Sequence, residues 1–430
     1  MIRFLGCRLT CAPLMLAALI SLAPLPASAF EKIQENWPAW RGPQANGVAP
    51  GGSYPTTWSE TSHIRWKIEL PGPGSSTPIV WGNQLFVTCG VEGKDSVVAY
   101  DRGGKQQWIT TFASERPGKH KKATGSNPSI ATDGKQLFAY FKSGTLACLD
   151  MAGKVVWEKN LQALYGEDTL WWDLGTSPVL TKDHVVVAVM QTGPSYLAAF
   201  DKSTGNVAWK QDRNLDAPSE AAQSYSTPVV IERDGKQLLV VLGADHVTCH
   251  DAASGKELWR LGGLNPTGQK FFRSISSPVV SDDLVIAPYA RGATTSAVRL
   301  GGQGDVTTTH LAWAKEKLGA DVPTPVAYQG KVFVCGDKGQ LTCVDAKTGN
   351  EVWTGTLEKN RNGFTASPTV AGGKLYVVRE DGKTFVLDTG NEFKIIAENE
   401  LADAYAIATP VFVDGQIFLR TLTHLYCIGE

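Results

Sequence analysis

Eight times along this chain a Ser, Thr or Asn is followed by Pro and then by small or apolar residues. The prolines are Pro78, Pro128, Pro178, Pro228, Pro278, Pro325, Pro368 and Pro410, with gaps of 50, 50, 50, 50, 47, 43 and 42 residues. Self-similarity at a period of about 40–50 residues is the mark of propeller blades, small sheets that cannot bury their faces alone and stack radially to do so. One unit shows the sheet. "TPVAY" (324–328), "KVFVCG" (331–336), "LTCVD" (341–345) and "EVWTGTL" (351–357) are short runs rich in β-branched and aromatic residues. The turn signals "QG", "DKGQ" and "AKTG" separate them, so the unit reads as four antiparallel strands. No segment keeps a helical period over three turns.

The end of the unit is nearly a fixed phrase. "LTCVDAKTGNEVW" closes at Trp353, "VTCHDAASGKELW" at Trp259 and "LAAFDKSTGNVAW" at Trp209. Gly205, Gly255 and Gly349 fall where a turn needs positive φ, which would cost about 1–3 kcal/mol for a residue with a Cβ. The tryptophans at 66, 108, 157, 209, 259, 313 and 353 are expected to wedge between blades. Truncating one to Ala should cost about 3–5 kcal/mol.

The two ends of the series are complementary. The last unit stops after its third strand and has no tryptophan, whereas Trp66 in "HIRWKIEL" precedes the first proline and has no unit. Residues 62–69 are therefore expected to complete the last blade and leave no sheet edge exposed. The predicted fold is all-β: an eight-bladed β-propeller of four-stranded antiparallel blades over residues 62–430, closed by its own N-terminal strand.

Upstream, residues 1–29 read as an export signal. Arg3 and Arg8 precede an apolar stretch from Ala12 to Leu22, then Pro24, Pro26 and the small-residue site Ala27-Ser28-Ala29, with cleavage expected after Ala29. The apolar stretch is too short to span a bilayer, so no membrane insertion is expected. The first mature residue would be Phe30 rather than Cys, so no lipid anchor is expected. A periplasmic or secreted protein follows, with residues 30–61 as a Pro/Gly-rich arm. Of the 41 basic residues, 39 remain after Arg3 and Arg8 are removed, against 42 acidic ones. A net charge of −3 lacks the basic footprint of a nucleic-acid binder. Of the six cysteines beyond the signal, Cys148, Cys249, Cys343 and Cys427 share a repeat slot filled elsewhere by Ala99, Ala199 and Val386. A slot shared by Cys, Ala and Val is small and apolar, which favours core thiols over disulfides.

The pattern D-x-x-[ST]-G-x-x-x-W after a [ST]-P-[VI]-[VLI] strand resembles the PQQ-type β-propeller repeat. Quinoprotein alcohol dehydrogenases and BamB-like outer-membrane assembly scaffolds share that repeat. The likeness covers residues 62–430 and implies a fold more than a role, since one ring hosts unrelated functions. The dehydrogenases hold their quinone beside two adjacent, disulfide-linked cysteines and a calcium site of carboxylates and an Asn. No two cysteines here are adjacent, and that ligand set has no residue-by-residue match. No cofactor is therefore expected. PQQ with calcium, in a quinoprotein dehydrogenase-like oxidoreductase, is the alternative, and a polysaccharide- or cell-wall-binding protein is the third reading.

Other motifs fail on geometry. In "DGKTF" the first glycine of a phosphate loop would have to be Val377. In "DHVTCHD", His246 and His250 share a strand face about 13 Å apart while Cys249 points away, so one strand cannot chelate. No C-x-x-C-H, HExxH or G-x-S-x-G is present. No catalytic or metal-ligating residue is assigned.

Alternating strand direction does place a site. The short turns between strands one and two and between three and four lie on one face of the disc. The inter-blade loops, with those between strands two and three, lie on the other, and the former are long and varied. They carry Arg116, His120, Lys121, Trp171, Trp172, Asp173, Glu220, Tyr225, Lys270 and Arg273. Variable loops on a rigid frame are where binding resides. Around the channel mouth these residues are expected to bind a polar ligand, a glycan or a protein partner, with Trp171–Trp172 as a stacking surface and the basic residues meeting anions or carboxylates. The insert "GGQGDVTTTH" (301–310) is expected to be a lengthened hairpin on the opposite face.

Overall fold

The computed structural model describes residues 1–2, 36–401 and 405–430; positions 3–29 of the expected signal segment and its cleavage site fall outside them. Eight sheets of antiparallel blades follow one another around a ring, and in blades 1 to 7 the four blade strands run in sequence order from the axis outward. Blades 1 to 7 span residues 79–114, 131–160, 179–212, 229–261, 279–316, 326–356 and 369–399. Blade 8 comprises Val411–Val413, Gln416–Arg420 and His424–Ile428, and its outer strand is Ile64–Glu69, paired antiparallel to His424–Ile428. The ring is closed as the sequence predicts. In the unit parsed above, the strands run Val326–Tyr328, Lys331–Cys335, Gln340–Asp345 and Glu351–Thr356.

Two devices explain the repeated phrase. The first joins blades at the rim. The ring of Trp157 lies on Gly205 of the next blade, where an added Cβ would fall 2.6 Å from it. Trp66 on Gly104, Trp108 on Gly153, Trp209 on Gly255 and Trp313 on Gly349 repeat the contact. Gly205, Gly255 and Gly349 have φ of +69°, +72° and +67°, so this glycine is required twice, by conformation and by the indole above it. The indole N–H donates into the same turn: Trp66 to Arg102 O, Trp157 to Lys202 O and Trp313 to Ala346 O, at 2.8–2.9 Å. Within the turn, the Asp201 carboxylate accepts from the N–H and O–H groups of Ser203 and Thr204. Those bonds hold it down at about 2, well below the usual carboxylate range.

The second device circles the axis. The Thr77 N–H donates to Ser129 Oγ, the Ser129 N–H to Ser177 Oγ, and the chain of bonds continues through Thr227, Ser277, Thr324 and Ser367 to Thr409, at 2.9–3.3 Å. This belt is the physical reason for the [ST]-P marker, because the hydroxyl accepts a buried N–H that the inner strand leaves unpaired. It also corrects one marker. The residue equivalent to Thr77 in blade 2 is Ser129, not Asn127, so Pro128 sits two positions before the true repeat register and Ile130 stands where the other blades have proline.

The insert 301–310 departs from expectation as well. It lengthens the blade 5 hairpin, but Gly304–Asp305 also pairs in parallel with Trp259 and Arg260, giving blade 4 a fifth strand. All six described cysteines are buried free thiols. Cys148, Cys249, Cys343 and Cys427 have pKa values pushed up to about 12 by burial, so none is a reactive thiolate.

The arm is part of the fold. Residues 36–58 cross beneath the disc on the short-turn face. Trp37 bridges to Val80 in blade 1, Val48 to Val370 in blade 7, and Tyr54 meets Phe412 of blade 8 edge-on at 5.3 Å. Arg41 is fully buried and donates to Pro368 O and Pro325 O at 2.7 and 2.5 Å. Burial lowers its pKa to about 9. Between these anchors Trp40 stands under the axial channel, lining it together with the belt.

Candidate functional site

The channel opens toward the inter-blade loops, and the arm with Trp40 occupies the other end. Its mouth is a cavity of about 500 Å³ whose wall includes His120, Trp172, Asp173, Tyr225 and Arg273 from the sequence-predicted set. These five come from three loops after blades 1, 2 and 4 and from the loop before blade 4, and the fold brings them together.

Asp173 organises the rim. Its carboxylate accepts from the Lys119 and His120 N–H groups at 2.9 Å and pairs with the buried Lys142 ammonium. Lys142 also donates to Pro117 O, and Lys119 Nζ to Leu170 O. The basic run 116–122 is thereby folded onto blade 2, its backbone fixed by one carboxylate. Trp172 is held from three sides. Its indole N–H donates to Glu220 Oε1 at 2.7 Å, its backbone N–H donates to the Tyr225 hydroxyl, and that hydroxyl donates to Gln223. Burial keeps the Tyr225 phenol neutral by pushing its pKa up. His120 meets the indole edge-on at 5.8 Å and the Arg273 guanidinium lies 5.5 Å from the Trp172 ring centroid.

Arg273 is 8% exposed, donates through Nη2 to Asp321 and sets Nη1 3.3 Å from the Glu220 carboxylate, while Nε has no hydrogen-bond acceptor among the described residues. Burial raises the Asp321 pKa, opposed by Arg273 and Arg291. The opposite wall is closed by Lys122 paired with Glu380 at 2.5 Å, a carboxylate that also accepts from Thr365.

The other candidates stand apart from the mouth. Arg116 pairs with Asp168 and Gln162. Glu220 is buried beneath Trp172 rather than presented. Lys121, Trp171 and Lys270 are exposed on the loop crests. Sequence reasoning missed Lys122, Arg291, Asp337 and Glu380 at the mouth, and Asp321 as the partner of Arg273. Arg291, Asp337 and Glu380 follow second strands, in turns whose face the strand alternation already gave. Trp40 was missed too, although "WPAWRG" offered a signal in its dense aromatics.

No group of three or more His, Cys, Asp or Glu side chains among the described residues is arranged to hold a metal. His250 is buried between Gly255 O and Thr248 Oγ1, and burial together with Arg213 lowers it to about 4, as suits a neutral core histidine. No helix among the described residues is long and apolar enough to cross a membrane.

An eight-bladed ring with axial Ser/Thr hydroxyls, Asp-turn-Gly-Trp rim contacts and loops gathered at one mouth defines a PQQ-type propeller. The chain belongs to the family described as "Outer membrane protein assembly factor BamB", whose profile matches residues 55–193, 153–309 and 303–393. A protein of that description from Shewanella oneidensis is 24% identical over 359 residues, covering 80% of this chain and 81% of the relative. Among solved structures, BamB from Moraxella catarrhalis superposes with a TM-score of 0.61 at 15% identity, over 85% of this chain and 98% of that one. A europium-containing methanol dehydrogenase superposes at 0.70 and 13% identity, over 94% and 99%. At such identities the structural likeness speaks to the fold alone.

Proposed function

We propose that this chain is an exported, non-catalytic scaffold that holds a protein partner on its inter-blade loop face. One observation carries the reading. Trp171, Trp172 and Phe271 are 49%, 41% and 56% exposed there, on loops whose backbones are fixed by Gln223, Tyr225 and Ala221. Large aromatics on a preorganised surface bind without ordering cost and are what interface hot spots are made of. Exposed Lys121 and Lys270 flank them, favouring a partner segment with apolar and acidic residues. Membership in a family described as an assembly factor supports a scaffold role. Its place of action, on this reading, is the periplasm or beyond.

The test is crosslinking of the native chain in periplasmic extract, followed by binding of the purified partner. A Trp171→Ser/Phe271→Ser variant, which removes only exposed side chains, should weaken binding at least about tenfold. Unchanged affinity would overturn the assignment of this face. The same reading expects no quinone: the mouth carboxylates are taken up by lysines, arginines and backbone N–H groups, and the described cysteines are isolated thiols. Titration with PQQ and calcium, followed by absorbance, should give no saturable complex.

A further inference from the structure

We propose that the axial channel is a blind well that binds a small neutral polyol, such as a sugar residue, end-on above Trp40. Its lower part, about 120 Å³, is lined by all eight belt hydroxyls, each at least nine-tenths buried: Thr77, Ser129, Ser177, Thr227, Ser277, Thr324, Ser367 and Thr409. Ser129 to Thr409 already accept a neighbour's N–H through Oγ. Each keeps one O–H to donate and one lone pair to accept, the pairing that a sugar hydroxyl reciprocates.

Two residues before each belt position lies a second ring, and it mixes apolar with polar side chains. Tyr225, Ile275, Val322 and Ile407 are apolar or aromatic, while Ser75, Asn127 and Thr365 are polar. Neither ring carries a charge, since the Tyr225 phenol stays neutral. An ion drawn down to the belt would lose its water with no counter-charge, and a hydrocarbon would leave buried hydroxyls unmet. A neutral ligand with hydroxyls on its edges and C–H groups on its face meets both rings.

Arg273 supplies an independent sign. On the mouth wall, its Nε is buried without an acceptor among the described residues although Asp321 at Nη2 and Glu220 at Nη1 already balance its charge. A donor to spare without charge to spare suits neutral oxygen. The well lies below the loop crests, so this site is separate from the docking face proposed above.

Calorimetry and thermal unfolding of the native chain with glucose and N-acetylglucosamine, against glucuronate and glucosamine as charged counterparts, test the proposal. A neutral sugar should bind at least about tenfold tighter than its charged counterpart and raise Tm with concentration. Val322→Phe, which narrows the well and leaves every belt bond in place, should abolish that binding; Ser277→Ala/Thr324→Val should weaken it. Equal binding of charged and neutral sugars, binding retained in Val322→Phe, or no response to either neutral sugar up to roughly 100 mM would overturn it, the last meaning the well holds water only.

Discussion

The indole of Trp157 rests on Gly205 of the following blade and donates its N–H to Lys202 O at 2.8 Å, so one side chain both packs on and hydrogen-bonds the same turn. Gly205→Ala should destabilise twice over, through φ of +69° and through a Cβ placed 2.6 Å from the ring. Trp157→Ala should cost about 3–5 kcal/mol. Because the two residues share one contact, the double variant should cost less than the sum of the singles. Urea midpoints of the four proteins measure the coupling; strict additivity would show that the contact carries no energy.

Removing residues 62–69 takes away the outer strand of blade 8 and the Trp66 contact with Gly104. Thermal unfolding should shift for the whole ring, not for one blade, since an exposed edge weakens both neighbours of the gap. An unchanged melting curve would refute closure.

Asp173 and Lys142 form a nearly fully buried ion pair. Asp173→Ala strands an ammonium in the interior and should cost about 3–5 kcal/mol, with faster hydrogen exchange at Lys119 and His120, whose N–H groups it accepts. Asp173→Leu combined with Lys142→Met should recover much of the global stability but not the loop protection. Recovery of both would mean that the rim is held by packing alone.

Asp95, buried at the blade 1–blade 2 seam with Ser143 on one oxygen and nothing on the other, is pushed up to about 7 by burial, with Glu115 adding to the rise. Its folded pKa lies above the unfolded value of 3.8. Below about pH 4 both states are protonated; between about 4 and 7 only the unfolded chain ionises, so this group makes stability fall as pH rises through that window and level off above it. His250, lowered to about 4, works the other way, its contribution being lost as pH falls from about 6.5. The difference between wild type and D95N isolates the first effect: D95N should gain relative stability from pH 4 to pH 7. A flat difference would place the Asp95 proton elsewhere.

The periodic features were legible in the sequence because each blade repeats the same local problem. Asp201, Gly205 and Trp209 recur since every blade needs the same turn and wedge, and the unpaired Trp66 told how the ring ends meet. The candidate site was only partly legible. Trp172 and Arg273 could be placed on one face by strand alternation, but their meeting depends on how loops after blades 2 and 4 fold across the mouth. Trp40 was invisible for a similar reason: nothing periodic leads a 23-residue crossing, from residue 36 to 58, under the axis. Pro128 shows the opposite hazard, a marker that kept perfect count while the backbone slipped by two.

The pairing of Ile64–Glu69 with His424–Ile428 has a consequence for biogenesis. Ile64–Glu69 must wait for a partner more than 350 residues later in the chain, so no amount of early folding can close the ring. Contacts this distant in sequence are slow to form, and the growing chain carries an unsatisfied edge throughout. Without that pairing the margin of blade 8 stays open to any other strand that can dock on it, which makes an unclosed ring prone to association.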